Sequence, residues 1–298
     1  MVDVGKGQGW RQVMNIKLSG PVSDPFNLPD SNFFFTIRMA SLPTVILVHG
    51  AWHIPANYQG YADALRAKGF KVHCPHLPSC NGSSPPTAFL SDDTSCIRKV
   101  IQSAVDAGER VLMIMHSYGG APGTGAVEGL SLAERKTTGQ HGGVIHLLYM
   151  CAYILRPGTT IWEIVQETGY DKLWDQYVDI AADGTMAMKD EALAFFSGNA
   201  EQAAVDRAIK TLVRFPFAIL HEKSTGSAWK TIPTTYVSTT KDYALLKPLQ
   251  DLMLAKVWED GIKVKVEEYD ADHSLFITRE GAMVEAALRA ATDERNVT

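Results

Sequence analysis

The sequence lacks the features that would direct it to several large functional classes. It has no excess of positive charge: 28 Lys and Arg against 33 Asp and Glu leave a net charge of −5. Without a basic footprint to gather phosphates, nucleic acid is not an expected partner. The four cysteines, Cys74, Cys80, Cys96 and Cys151, never fall in a Cys-x-x-Cys pair. That spacing argues against a zinc site or a disulfide framework and for reduced, structural thiols. No run of about 18 apolar residues occurs, as a membrane-spanning helix would need. The opening stretch MVDVGKGQGWRQVMNIKL also has no continuous apolar segment of the secretory type. The expectation is a cytoplasmic protein that acts on a small molecule, with neither membrane nor nucleic acid as partner and no metal site.

What is present is ordinary globular composition, 46% hydrophobic, in a chain of 298 residues, enough for one large α/β domain with an insertion. Residues 1–42 are rich in Gly, Pro, Asp, Asn and Ser and read as an extension outside the core, either a lead-in or a lid segment. From Thr44 onward, β-rich apolar runs alternate with helical stretches, the pattern of a mostly parallel sheet covered by helices on both faces. Strands are expected at Thr44–Val48, Lys71–Pro75, Val111–Met115, Val144–Cys151, Thr234–Thr239 and Lys263–Tyr269. Helices are expected near Ala56–Lys68, Asp92–Ala107, Tyr118–Leu130, Leu245–Trp258 and Arg279–Ala291. The rhythm breaks over 156–230, which carries many bulky aromatics and no convincing central strand. This stretch reads as a helical cap inserted between core segments 43–155 and 231–298.

The segment Val111-Leu-Met-Ile-Met115-His116-Ser117-Tyr118-Gly119-Gly120 is an apolar strand that ends at a serine and runs directly into glycine and a helix. A serine hydroxyl is a poor nucleophile unless it is exposed, held near a base and aimed toward backbone donors. A strand-turn-helix elbow does that positioning and brings the N–H groups of a helix start beneath a developing oxyanion. Ser117 is the candidate nucleophile; the bland alternative is a serine that caps the helix. Met115 stands where a G-x-S-x-G elbow has glycine, a departure from the usual motif.

After the first strand comes His49-Gly50-Ala51-Trp52-His53, where a second oxyanion donor belongs. The backbone N–H groups of Ala51 and Tyr118 are the candidate donors, with His49 bracing the loop. Of the nine histidines, His273, in Asp270-Ala271-Asp272-His273-Ser274 after the last strand, is best placed as general base. His116 adjoins the serine but points away from it, while His53, His76 and His221 are candidates for the pocket. Asp242 follows a β-rich strand in the chain order Ser, Asp, His and is the candidate acid that orients the imidazole, with Asp270 and Asp272 as rivals. Trp52, Tyr118, Trp162 and Trp229 are first candidates for apolar contacts with a substrate.

Taken together, Val48-His49-Gly50-Ala51-Trp52, His116-Ser117-Tyr118-Gly119-Gly120, the Pro233–Val237 strand with Asp242, and Asp272-His273-Ser274 resemble the α/β-hydrolase superfamily over about residues 43 to 292. Within it they are similar to the branch that holds plant methyl-ester esterases and hydroxynitrile lyases. The resemblance implies a Ser-His-Asp triad, no cofactor, and a helical cap over an apolar pocket. Lyases of this branch carry a lysine immediately after the catalytic histidine; Ser274 stands there, which favours an esterase. The leading expectation is hydrolysis of a carboxylic ester or lactone of a small, largely apolar molecule through an acyl-enzyme. A cyclase, lyase or isomerase using the same triad in a dry pocket, and a non-catalytic receptor that keeps the pocket, are the alternatives.

Overall fold

A computed structural model of the chain describes residues 41–197, 200–293 and 295. The N-terminal extension expected over 1–42 therefore lies outside the described residues, apart from Ser41 and Leu42. The largely β-branched run Thr44-Val-Ile-Leu-Val48 forms β1 (Thr44–Val48), buried at every position as a central parallel strand requires. It is followed by α1 (Gln59–Ala67), β2 (Val72–His73), α2 (Leu90–Asp106), β3 (Arg110–His116), α3 (Gly120–Val127), α4 (Leu132–Thr137) and β4 (Gly143–Met150). The inserted stretch carries α5 (Ile161–Glu167), α6 (Trp174–Tyr177), β5 (Val178–Ile180), β6 (Thr185–Met188), α7 (Glu191–Phe196), α8 (Gln202–Ile209) and β7 (Phe215–Pro216). The chain then returns to the core as β8 (Thr234–Thr239), α9 (Lys247–Glu259), β9 (Lys265–Tyr269), α10 (Leu275–Thr278) and α11 (Glu280–Ala291).

Six strands form one sheet in the order β2-β1-β3-β4-β8-β9, and every neighbouring pair is parallel. Side chains of β3 alternate between two cores. Val111, Met113 and Met115 pack with α2, α3 and α9 on one face, while Leu112 and Ile114 pack with α1 and α11 on the other. That alternation fixes where β3 delivers its last residue, at the carboxyl edge of the sheet between β1 and β4. Loops at this edge are where open α/β sheets build their sites. The expected second strand shrinks to Val72–His73, because it lies at the sheet edge and runs into Pro75, which has no N–H to donate. The helix expected from Tyr118 begins instead as a tight turn over Ser117–Gly119 before α3 starts at Gly120.

The insertion holds four short helices and, in addition to them, a three-stranded antiparallel sheet in the order β5-β6-β7. Its strands are two to four residues long, too short for an alternating pattern to stand out in the sequence. The two ends of the insertion meet at α9 and the turn after it. Arg156 pairs with Glu259 and Asp260, and Lys230 pairs with Asp260.

Candidate active site

Ser117 adopts φ +53°, a left-handed conformation uncommon outside glycine, as the chain reverses between β3 and α3. Its carbonyl accepts from the Tyr153 N–H at 3.0 Å, which ties the elbow to the segment after β4. Gly50 makes room for the serine: a Cβ there would lie 2.9 Å from Ser117 Cβ and 3.4 Å from Ser117 Oγ. The bulky Met115 is accommodated one turn into α3. A Cβ on Gly123 would sit 2.6 Å from Met115 Sδ, so the space that the usual motif leaves before the serine is supplied here by a glycine six residues after it. Among the described residues, Ser117 Oγ makes no hydrogen bond, to His273 or to any other group. Catalytic contacts of this kind commonly tighten only once substrate is bound.

Three buried histidines hold the loop after β1 and the elbow, and their contacts determine their tautomers. The Leu77 N–H donates to His49 Nε2 at 3.1 Å, so His49 Nδ1–H donates to the Gly50 carbonyl at 3.0 Å. His53 Nδ1–H donates to the Ala51 carbonyl at 2.7 Å. His116 Nε2–H donates to the His273 carbonyl at 2.9 Å, which leaves its Nδ1 to accept from Tyr58 O–H at 2.6 Å. The Tyr58 oxygen in turn accepts from the Gly50 N–H at 3.0 Å. Both carbonyls and one N–H of Gly50-Ala51 are thereby engaged, and the Ala51 N–H is left over. Neither it nor the Tyr118 N–H donates to a protein acceptor among the described residues. Burial is the main reason all three histidines are neutral: it lowers His49 to about 3 and His53 to about 4, and His116 well below 6.5.

His273 and Asp242 form a buried pair at the carboxyl ends of β9 and β8. His273 Nδ1–H donates to Asp242 Oδ2 at 2.8 Å. The same oxygen accepts from Thr239 O–H at 2.9 Å, and Oδ1 accepts from the N–H groups of Ala244 and Leu245 at 2.9 and 2.7 Å. With four donors on it, this carboxylate is set firmly in place. The rivals do not meet the ring: Asp270 is an exposed partner of Lys241, and Asp272 accepts from Thr278 O–H, with burial raising it to about 6. His116, Cys151 and His273 bring three ligand-type atoms within 4.8 Å of one another. Both His116 nitrogens and His273 Nδ1 already serve protein hydrogen bonds, so the group does not offer an open donor set for a metal.

Ser117 opens into a cavity of about 780 Å³, its mouth included, under the inserted segment. Ala51, Trp52, Tyr118, Tyr153, Trp174 and Phe215 are among its walls, and no charged side chain among the described residues lines it. Trp52 and Tyr118 thus stand where the sequence suggested. Trp162 and Trp229 do not. Ile161 and Val165 turn one side of α5 toward the cavity, and Trp162, one residue on and about 100° around the helix, packs on Trp174, Phe217 and His221. Trp229 is buried at the base of the insertion, where its Nε1–H donates to the Leu155 carbonyl at 3.2 Å. His76 and His221 also lie away from this cavity, and His53 stands behind the Ala51 carbonyl. Ser274, beside His273, is fully buried and does not line it.

Three contributors were not legible in the sequence: Tyr58, Asp93 and Tyr153. Asp93, buried on α2, accepts from Tyr118 O–H at 2.7 Å and from the Ser79 O–H and N–H at 2.5 and 2.9 Å. It anchors the side chain of the residue after Ser117. Each of the three acts across a long sequence separation, and no local pattern marks it. The acid-after-strand and histidine-after-strand positions were visible because chain order announces them.

The sequence profile of the Alpha/beta hydrolase family matches residues 45–286. A curated relative, the Alpha/beta hydrolase nvfD of Aspergillus novofumigatus (strain IBT 16806), is 30% identical over 218 residues, covering 72% of this chain and 83% of the relative. Among solved structures, the chain is similar to a Pyrethroid Hydrolase from Sphingobium faniae JZ-2, with a TM-score of 0.65 at 18% identity over 85% of this chain and 98% of that one. It is also similar to the methylesterase protein MES16 from Arabidopsis, with a TM-score of 0.62 at 21% identity over 84% of this chain and 99% of that one. At these identities the two structures speak to the fold.

Proposed function

The chain belongs to the alpha/beta hydrolase family, a hydrolase fold whose chemistry is done at this edge of the sheet, and from that premise we propose that it is a serine hydrolase of a carboxylic ester or lactone of a small, largely apolar molecule. The observation that carries the reading is the convergence of the strained Ser117 elbow and the buried His273–Asp242 pair on one edge of the sheet, with Ser117 opening into an uncharged cavity. Ser117 Oγ attacks the ester carbonyl carbon while His273 Nε2 takes the hydroxyl proton. Asp242 holds the imidazole in the tautomer that leaves Nε2 free and stabilises the imidazolium. The N–H groups of Ala51 and Tyr118 receive the oxyanion. Collapse of the tetrahedral intermediate breaks the C–O bond, the alkoxide leaves with the His273 proton, and an acyl-enzyme remains. Water, deprotonated by His273, then attacks the acyl carbon and releases the carboxylic acid and Ser117.

Turnover in H2¹⁸O tests the reading, with one ¹⁸O expected in the acid product. Ser117→Ala is expected to lower kcat/KM by roughly a thousandfold or more. A variant that retains full turnover overturns the proposal. The uncharged cavity supports a second reading, in which water is kept out and the acyl group or a carbanion reacts within the substrate. A product of unchanged mass identifies that chemistry.

A further inference from the structure

Six tyrosines of the described structure are buried, and five of them have their hydroxyl engaged by the fold. Tyr58 bonds His116, Tyr61 bonds the Met283 carbonyl, Tyr118 bonds Asp93, Tyr149 bonds Thr124 and Tyr236 bonds the Ala152 carbonyl. Tyr153 is the exception. It lines the cavity into which Ser117 opens, and its hydroxyl, which is not closed off from accessible space, has no hydrogen-bond partner among the described residues. Its main chain is pinned to the elbow by the Tyr153 N–H to Ser117 carbonyl bond of 3.0 Å. It also stands near enough to Asp242 for that carboxylate, after burial itself, to help raise its hydroxyl pKa.

A tyrosine hydroxyl left without a protein partner on the wall of a cavity is free to donate to an acceptor on a molecule that enters it. We propose that Tyr153 is a specificity-determining residue that donates its O–H to a second oxygen of the substrate, which makes the preferred substrate a neutral ester or lactone bearing a ketone, ether or hydroxyl oxygen besides its reactive carbonyl. The proposal rests on the reading of Ser117 as nucleophile. Neutrality follows from the wall: a charged group would be desolvated against a lining that holds no opposite charge.

The probes are p-nitrophenyl hexanoate and its 3-oxo, 4-oxo and 5-oxo analogues. Each is measured as a substrate and, where turnover is slow, as a competitor of fluorophosphonate labelling at Ser117. The wild-type protein is expected to favour at least one oxo ester over the hexanoate by about tenfold, the worth of one buried hydrogen bond. Tyr153→Phe is expected to erase that ratio, with a Tm equal to or above the wild-type value. Three results overturn the inference: a wild-type protein that treats all four esters alike, a variant that keeps the ratio, or a variant that loses rate uniformly with a lowered Tm, which would mark a structural role. Absence of fluorophosphonate labelling at Ser117 instead takes down the serine-nucleophile reading, and this inference with it.

Discussion

Acidification from about pH 6 to about pH 5 is expected to lower folding stability by about 3 kcal/mol, chiefly through the histidines that hold the Gly50-Ala51 loop and the elbow. Burial, the largest cause in each case, lowers His49 to about 3, His53 to about 4 and His116 well below the ordinary 6.5. A base whose folded pKa lies below its unfolded one takes up a proton on unfolding. Its stabilising effect is complete above the unfolded value and is lost as pH falls toward the folded one. In this window the three histidines together draw nearly three protons onto the unfolded chain. Asp272 works in the opposite sense: burial raises it to about 6, so the native state holds a proton that the unfolded chain has released. The balance is roughly two protons, each worth about 1.4 kcal/mol per pH unit. Asp93, raised mainly by burial, trims the figure somewhat. Urea unfolding at half-unit steps measures the slope directly. His53→Asn keeps a donor for the Ala51 carbonyl but cannot titrate, and is expected to reduce the slope by about 1.4 kcal/mol per unit. A stability that stays flat through this window, or a slope untouched by His53→Asn, would refute the assignment of neutral, buried imidazoles.

Tyr58→Phe removes the donor to His116 Nδ1 and the acceptor of the Gly50 N–H together. A stability loss of about 1–3 kcal/mol is expected, along with a fall in kcat of about tenfold and little change in KM, since Tyr58 does not line the cavity. Thermal melts alongside steady-state kinetics check it, and an unaltered kcat would contradict the positioning argument. Gly123→Ala brings a methyl to within 2.6 Å of Met115 Sδ and is expected to destabilise by about 1–3 kcal/mol. Paired with Met115→Gly, the same change is expected to be close to neutral. A double-mutant cycle with no coupling energy would show that Met115 does not depend on Gly123.

The parts of the fold announced by chain order were the ones that could be read early. β1, β3, β4 and β8 lie close to where apolar runs suggested, since each is buried on both faces and carries an unbroken hydrophobic signal. Ser117 directly follows β3, and Asp242 and His273 stand in the loops just after β8 and β9, so locating the strands located them. Met115 looked like a flaw in the elbow because its compensation, Gly123, lies on the far side of the turn. Trp162 and Trp229 do not line the cavity: a large aromatic in an insertion faces either the ligand space or the packing beneath it, and for Trp162 one residue of helical phase decides which. The Tyr58-His116-His273 connection and the Asp93-Tyr118 contact join residues far apart in the chain. Only the folded backbone brings them together.

The central claim, that Ser117 is the acylated nucleophile, is tested most directly by mixing the protein with p-nitrophenyl hexanoate, quenching in acid within the first turnover, and mapping the adduct by peptide mass spectrometry. A hexanoyl group is expected on Ser117, absent from Ser117→Ala and slow to form in His273→Ala. Steady turnover with no adduct on Ser117, or an adduct mapped to another residue, would contradict it.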